Sequence, residues 1–548
     1  MGVLAALIAV APVYWVAAPE EKLRPDAVAG ERRTARLDAG RGECEPFQVA
    51  LRAREPLVAV SAEAAPFAPP LAPAPSLSRE AQLQLALPSG PDGHAGDWPD
   101  PLIPAVDSFV GERRDAFPVD VPAGGLLALF VDVCVPRGAS PGEARGEIRI
   151  SAGGRPLATV PVTLRVHPFA IPATSTLPTS FGISLPSLLR RHRIAPAEAD
   201  ALLRRYAIAA LRDRISLHGM SMRPPSVSGA TVDFRAYDDE LAPLLDGTAL
   251  PSGARFTSTD VRLPAGMGPR ETAAVLSATA GHLREHGWLA RAFLYAADEP
   301  SPDRFPAIVS LASLAHAAGL SVLVTVPFQP TLAGAVDIWT PNLNCLIVRR
   351  APSEFCPLRA PFSAYAPLLA RGDRLWWYVS CSSHGCEGPV PQRAASYFHG
   401  WPDYVIDVPG SRNRAMGPLA FRYGIGGELY YDTVLAYEDG DPWVSIRRFG
   451  GNGDGTLFYP GTPDRIGGRT DIPVESLRLK LIRAGLQDYE ELSLLARLGE
   501  GALAERLVAE WLPSATEVEL PPARREALRG RLLAALDAAW LSAGPGRR

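Results

Sequence analysis

Residues 293–300 read Phe293-Leu294-Tyr295-Ala296-Ala297-Asp298-Glu299-Pro300. An apolar, aromatic run with helical patterns before and after it predicts a buried parallel strand of an α/β protein, with Asp298 and Glu299 at its C-terminal end. Such folds do their chemistry at that end. Neighbouring side chains on a strand point to opposite faces, so two adjacent carboxylates serve one ligand only if the strand is ending there. Pro300 supplies the ending, because it has no N–H to continue a ladder. Two carboxyls in one pocket give an acid beside a base. The run Asp298-Glu299-Pro300-Ser301-Pro302-Asp303 ahead of Phe305 also reads as a plain helix start, and by itself the stretch does not choose between the two.

Around this stretch the rhythm after Pro178 is strand then helix, repeated. Strands are expected at Ser180–Ser184, Ile215–His218, Ala254–Phe256, Ala292–Ala297, Ser321–Val326, Asp337–Trp339, Leu375–Ser380 and Gly427–Tyr431. Helices are expected between them, among others at Pro196–Leu211, Glu271–His286, Phe305–Ala317 and Ser411–Tyr423. This is the content of a (β/α)8 TIM-like barrel, with the carboxylate strand as its fourth. A doubly wound open sheet is the alternative, but the chain lacks its Gly-rich phosphate turn.

From Tyr14 to about Val166 the pattern is that of short strands: Phe47–Leu51, Leu126–Cys134, Glu147–Ile150 and Val160–Val166, with turns at Pro141-Gly142 and Gly153-Gly154. That spacing predicts an antiparallel β-sandwich, interrupted by a proline-rich surface loop from Ala65 to Pro104. Pro168–Pro172 is the linker. An amphipathic helix is expected from Pro473 to Leu498. The resulting division is a sandwich over 14–170, a catalytic barrel over 174–498, and an Ala-, Leu- and Arg-rich helical appendage over 499–548.

The chain has 548 residues, 47% of them apolar and 21% charged, which is globular rather than disordered composition. A formal charge of -4 gives no reason to expect nucleic acid or an anionic membrane as partner. Six cysteines are too few for a disulfide scaffold; Cys381 and Cys386 flank a small loop and read equally as a pair or as two buried thiols. Within residues 1–13, Val3 to Ala11 is apolar but short and lacks a basic residue before it, so it reads as a degenerate export signal or as a leading strand. An extracytoplasmic location, periplasmic or secreted, is expected ahead of a cytoplasmic one. No other run reaches the length of a membrane span, and nothing specifies an oligomeric state.

Two motifs invite metal readings. His282-Leu283-Arg284-Glu285-His286 matches H-x-x-E-H, but Gly287 makes it a helix end on the outside of a barrel, and no metal is expected there. Gly451-Asn452-Gly453-Asp454-Gly455 reads as a turn before a strand. Aromatic residues collect at strand ends: Trp339, Trp376, Trp377, Tyr378, Tyr430 and Tyr431. Singly they read as core. Gathered at one mouth with two carboxylates they suit a sugar, whose apolar C–H faces stack on aromatic rings. Trp376 and Tyr378 share one strand face and Trp377 has the other, so one set at most enters the site.

Taken together, these residues resemble glycoside hydrolase family 123, β-N-acetylgalactosaminidases with an N-terminal β-sandwich and a (β/α)8 catalytic domain. The resemblance rests on ordered stretches from Tyr14 to Leu498: Arg41–Gln48, Trp98–Pro104, Tyr295–Pro300, Asp337–Trp339, Leu375–Tyr378, Gly451–Gly461 and Arg483–Glu490. It implies substrate-assisted retention on a terminal β-linked N-acetylhexosamine, with no cofactor and a glycan or glycoconjugate as partner. Asp298 would orient the 2-acetamido group and Glu299 would act as acid and then base. Trp339, Trp376, Tyr378 and Tyr431 are expected to line the sugar pocket. A glycosidase of other specificity, or a non-catalytic carbohydrate-binding or cell-surface protein, are the alternative readings.

Overall fold

The computed structural model describes residues 12–544 apart from 68–74, 196–197, 221–224, 229–230, 265, 348, 350–355, 357, 388–394 and 439. The Val3 to Ala11 stretch lies outside them. The first ten strands are β1 (Val13–Ala17), β2 (Ala35–Arg41), β3 (Cys44–Arg52), β4 (Leu57–Ala64), β5 (Ser76–Leu85), β6 (Gly96–Pro104), β7 (Val119–Val121), β8 (Leu126–Cys134), β9 (Gly142–Ala152) and β10 (Arg155–Ala170). They form two five-stranded sheets, β1-β3-β8-β5-β6 and β2-β10-β9-β4-β7, antiparallel except where β2 runs parallel to β10. Alternate residues face inward, so Val49, Leu129 and Val131 of one sheet share a core with Ile148, Val160 and Leu164 of the other.

The proline-rich section is not the expected surface loop, because β5 and β6 lie within it. Pro99, Pro101 and Pro104 fit because β6 is the last strand of its sheet, where a missing N–H breaks no central ladder. Of the two readings of Cys381 and Cys386, the structure has the disulfide. All six are paired: Cys44–Cys134 across the β3–β8 ladder, Cys345–Cys356, and Cys381–Cys386 within its loop.

Eight further strands are parallel at every pairing: β11 (Thr179–Gly182), β12 (Leu217–His218), β13 (Thr259–Val261), β14 (Ala292–Ala297), β15 (Ser321–Val324), β16 (Ile338–Trp339), β17 (Arg374–Leu375 and Trp377–Tyr378) and β18 (Glu428–Tyr430). β17 pairs with β16 through its first half and with β18 through its second, which continues the curl through the order β12-β11-β18-β17-β16-β15-β14-β13. The expected closed barrel is not completed by ladders: among the described residues none joins β12 to β13. Hydroxyl and carboxylate groups bridge that seam instead, Ser216 to Thr257 at 2.9 Å and the Gly219 N–H to Asp260 at 3.0 Å. The third strand falls at Thr259–Val261, not at Ala254–Phe256. Phe256 is drawn back by its N–H onto the Leu244 carbonyl, and the more polar Thr259-Asp260-Val261 takes the ladder.

Around the curl pack α1 (Ala199–Arg212), α2 (Arg235–Asp246), α3 (Pro269–Glu285), α4 (Phe305–Ala318) and α5 (Met416–Tyr423). Inside it, Phe293, Leu323, Ile338, Trp376, Tyr378 and Leu429 form one small cluster with Tyr295 at its edge, while their strand neighbours Leu294, Trp339, Trp377 and Tyr430 face the helices. Gly427 makes room for Trp376, since a Cβ there would lie 2.3 Å from the indole.

Behind the curl, Ile472–Glu475 is a strand, so the long amphipathic helix starts later than expected, as α6 (Leu477–Leu495). The Ser476 hydroxyl caps it by accepting the Leu479 N–H at 3.1 Å. α6 is buried on all sides because it joins the sheets of β1–β10 to the parallel curl. Arg478 reaches Asp100 of β6 with two bonds, at 3.0 and 2.8 Å, and Arg483 reaches Asp132 of β8 with two at 2.7 Å. Gln487 pairs both ways with the Cys44 backbone at 2.9 Å. Two last helices, α7 (Gly501–Trp511) and α8 (Pro522–Ser542), pack on α6, and Arg529 of α8 lies against Glu43, Glu45, Asp488 and Glu491. No helix among the described residues is long and apolar enough to cross a membrane.

Candidate active site

β14 ends where the sequence places its end. Asp298 and Glu299 follow its last residue, both exposed to solvent at the C-terminal edge of the parallel curl. The two carboxylates are held by groups from β14 itself, β15 and β17. Tyr295, facing into the curl, donates its hydroxyl to Asp298 Oδ1 at 2.9 Å. Thr325, just beyond β15, donates its own hydroxyl to the same oxygen at 2.8 Å and accepts the Glu299 N–H at 2.8 Å. Tyr378, at the inward end of β17, donates to Glu299 Oε1. One threonine hydroxyl therefore ties the side chain of one acid to the backbone of the next.

The backbone pays for this arrangement. Glu299 has φ +38°, a left-handed conformation that costs a non-glycine residue about 1–3 kcal/mol. It turns Glu299 out of the strand's alternation, so that two adjacent residues are both anchored to tyrosines lining one mouth. Both tyrosines remain proton donors. Burial, then the neighbouring carboxylate, raises each hydroxyl above its ordinary value, Asp298 acting on Tyr295 and Glu299 on Tyr378.

A cleft of about 640 Å³ opens at the same edge, lined among others by Ile183, His218, Gly219, Arg262, Tyr431 and Asp432. His218 connects it to the carboxylates: its ring meets Tyr295 edge-on at 5.9 Å, and its Nδ1 bonds Ser180 at 3.1 Å. Burial lowers the His218 pKa against the opposing pull of Asp260, which leaves a neutral imidazole at the mouth. Burial pushes the Asp432 carboxyl up to about 7. A second cleft of about 510 Å³, between α8 and β1–β3, shares no residue with this one.

Of the residues singled out in the sequence, Asp298, Glu299 and Tyr378 come together, and Tyr431 lines the adjoining cleft. Trp339 does not join them. Ile338 takes the inward position on β16, so Trp339 faces the helices, fully buried against Phe328, with its Nε1 on Asp373 at 3.0 Å. Trp376 faces inward but lies on the floor of the curl, 1% exposed and edge-on to Phe293, where no ligand reaches it. Tyr295, Thr325 and His218 were missed. Tyr295 had a usable signal, since it shares a strand face with Phe293 and is the last aromatic residue before the acids. A threonine after a strand carries none.

No family model and no curated protein sequence matches this chain. Its structure does have relatives. Superposition on a family 123 glycoside hydrolase from Clostridium perfringens, studied for glycolipid glycan hydrolysis, covers 96% of this chain and 98% of that one at 12% identity, with a TM-score of 0.67. The chain has the fold of a family 123 glycoside hydrolase. More distant are a GH5 xyloglucanase from Bacteroides ovatus, covering 84% and 99% at 10% identity and TM-score 0.31, and a family 39 glycoside hydrolase from Bacteroides cellulosilyticus, covering 82% and 81% at 9% and 0.32. The family resemblance carried by the ordered motifs and the likeness of fold thus agree over nearly the whole chain. Several of those motifs have a structural place: Cys44, Asp100, Arg483 and Gln487 belong to the junction between the first two sheets and α6, and Glu43 meets Arg529 of α8 beside it.

Proposed function

We propose that this chain is a retaining glycosidase that removes terminal β-linked N-acetylhexosamine, N-acetylgalactosamine foremost, by substrate-assisted catalysis. The parallel curl works as a (β/α)8 barrel whose seam lies between β12 and β13, and β1–β10 form the sandwich that braces it. Asp298 uses Oδ1 to receive two hydroxyl donors, which leaves Oδ2 to accept the N–H of the sugar's acetamido group. That bond turns the acetamido oxygen toward the anomeric carbon and stabilises the positive charge as the oxazolinium ring closes. Glu299 gives its proton to the departing glycosidic oxygen, then takes one from the water that reopens the ring at the same face. Two inversions at one carbon retain the anomeric configuration.

The observation that carries this reading is the Thr325 hydroxyl, bonded at once to the Asp298 side chain and the Glu299 backbone. A pair of carboxyls placed across the ring, as a retaining enzyme with its own nucleophile requires, would not be neighbours in sequence. Their anchoring to inward-facing tyrosines favours catalysis over a silent binding protein, in which nothing would maintain the strained Glu299 backbone. Hydrolysis of 4-nitrophenyl N-acetyl-β-galactosaminide, its gluco isomer and the unsubstituted β-galactoside, by wild type, Asp298→Asn and Glu299→Gln, tests the proposal. Cleavage confined to 2-acetamido substrates and lost in both variants is expected. Cleavage of the plain galactoside at a similar rate would favour a glycosidase of other specificity.

A further inference from the structure

The H-x-x-E-H stretch on α3 takes no part in this chemistry, yet the fold completes it. His282 and His286 lie one helical turn apart, and α2 brings Asp238 against them. His282 Nε2 lies 2.7 Å from Asp238 Oδ1. One donor atom from each of Asp238, His282 and His286 falls within 4.8 Å of the others. The His282 ring is held in place by Phe234, stacked on it at 4.0 Å and 3°, with Tyr237 and Trp288 edge-on. The His286 ring sits 4.5 Å from His282 and 4.5 Å from Trp288, on the solvent side.

We propose that Asp238, His282 and His286 form a binding site for a divalent transition-metal ion, zinc(II) foremost, that staples α2 to α3 on the outer helical layer. Two imidazoles and one carboxylate with an open fourth position are a common donor set for zinc, and water completes the tetrahedron. Donors on a zinc ion stand roughly 3.4 Å apart, as tetrahedral geometry with bonds near 2.1 Å requires. Reaching that spacing takes a rotation of the exposed His286 and a small swing of the Asp238 carboxylate, which opens its 2.7 Å contact with His282, while the stacked His282 ring stays in place. The C-terminal end of α3 adds the negative end of its helix dipole, which favours a cation. Two other groups of potential ligands, Cys44 with Asp132 and Cys134 and Cys381 with Cys386 and Asp403, are excluded, because their thiols are joined as disulfides. Without a metal, the His282–Asp238 contact would be an ordinary hydrogen bond between helices.

The test is titration of the full, untagged chain with cobalt(II), followed by visible absorption, and with zinc(II), followed by calorimetry. One saturable equivalent is expected, together with a higher melting temperature in zinc. His286→Ala and Asp238→Asn should each weaken binding by more than about tenfold, the least that losing even an outer-shell partner of a metal site costs, and abolish the thermal shift. His316→Ala, at a separate surface histidine paired with Asp337, should leave both unchanged. His286 is exposed, so its variant should melt like wild type without metal. Absence of saturable binding, or binding that neither ligand variant weakens, would overturn the proposal.

Discussion

Replacing Thr325 by valine keeps the shape of the side chain and removes its hydroxyl. Two interactions go with it: the 2.8 Å bond donated to Asp298 Oδ1 and the 2.8 Å bond accepted from the Glu299 N–H. A hydrogen bond to a charged group contributes about 1.5–3 kcal/mol. If the Asp298 bond keeps its full strength in the transition state, its loss slows kcat roughly 10- to 150-fold, at about 1.4 kcal/mol per factor of ten. The second bond opposes the strain at φ +38°, so Glu299 is freed to relax toward ordinary strand geometry and leave the leaving-group oxygen. We therefore predict a fall in kcat near the upper end of that range with little change in KM, because the hydroxyl is buried and committed to these two bonds. Initial rates on the aryl N-acetyl-β-galactosaminide provide the assay. Thr325→Ser, which restores the hydroxyl, should recover activity to within a few-fold of wild type. A valine variant with wild-type kcat, or a serine variant as slow as valine, would refute the role given to this hydroxyl.

Three further predictions concern the frame. Burial lowers the His167 pKa, but hydrogen bonds to Asp38 and Asp537 outweigh it and raise the value overall, so the stability contributed by this contact between β10, β2 and α8 is complete below the unfolded histidine's pKa of about 6.5 and is lost as pH rises through the higher folded value; thermal melts on the alkaline side should show wild type losing stability faster than His167→Gln. Removing one partner of the buried Asp132–Arg483 pair, as in Asp132→Ala, should cost about 3–5 kcal/mol in urea unfolding, and the double variant Asp132→Leu/Arg483→Met should recover most of it. Gly427→Ala would drive a methyl into the Trp376 indole at 2.3 Å, an overpacking that should cost about 1–3 kcal/mol and lower the melting temperature.

The strand ending at Asp298 was legible from its context, an apolar run with helical patterns on either side, because the two acids and the proline alone read equally as a helix start. The alternation that set Trp376 and Tyr378 apart from Trp377 could be read in the same way, and the structure follows it. Trp339 misled because its strand has two residues, too few to show a period, and register with Leu323 sends Ile338 inward. The third strand was misplaced for a related reason: Thr259-Asp260-Val261 is polar where the apolar pattern was sought, and its pairing depends on β14, distant in sequence. The prolines of β6 look like loop until the strand is known to be the edge of its sheet. The Cys44–Cys134 disulfide, the Thr325 bridge and the charged pairs around α6 are all contacts between distant segments. Residue identity records the capacity for such contacts and not the partner, and six cysteines alone allow about 15 pairings.

The central claim is that the acetamido oxygen of the substrate is the nucleophile and that Asp298 aligns it. Progressive fluorination of the N-acetyl group, from acetyl to trifluoroacetyl, weakens that oxygen without altering the leaving group. The measurement is kcat/KM for wild type across this series of 4-nitrophenyl β-galactosaminides. A steep, monotonic fall with each added fluorine is the predicted result. Rates that stay level across the series would contradict it and place the nucleophile on the protein.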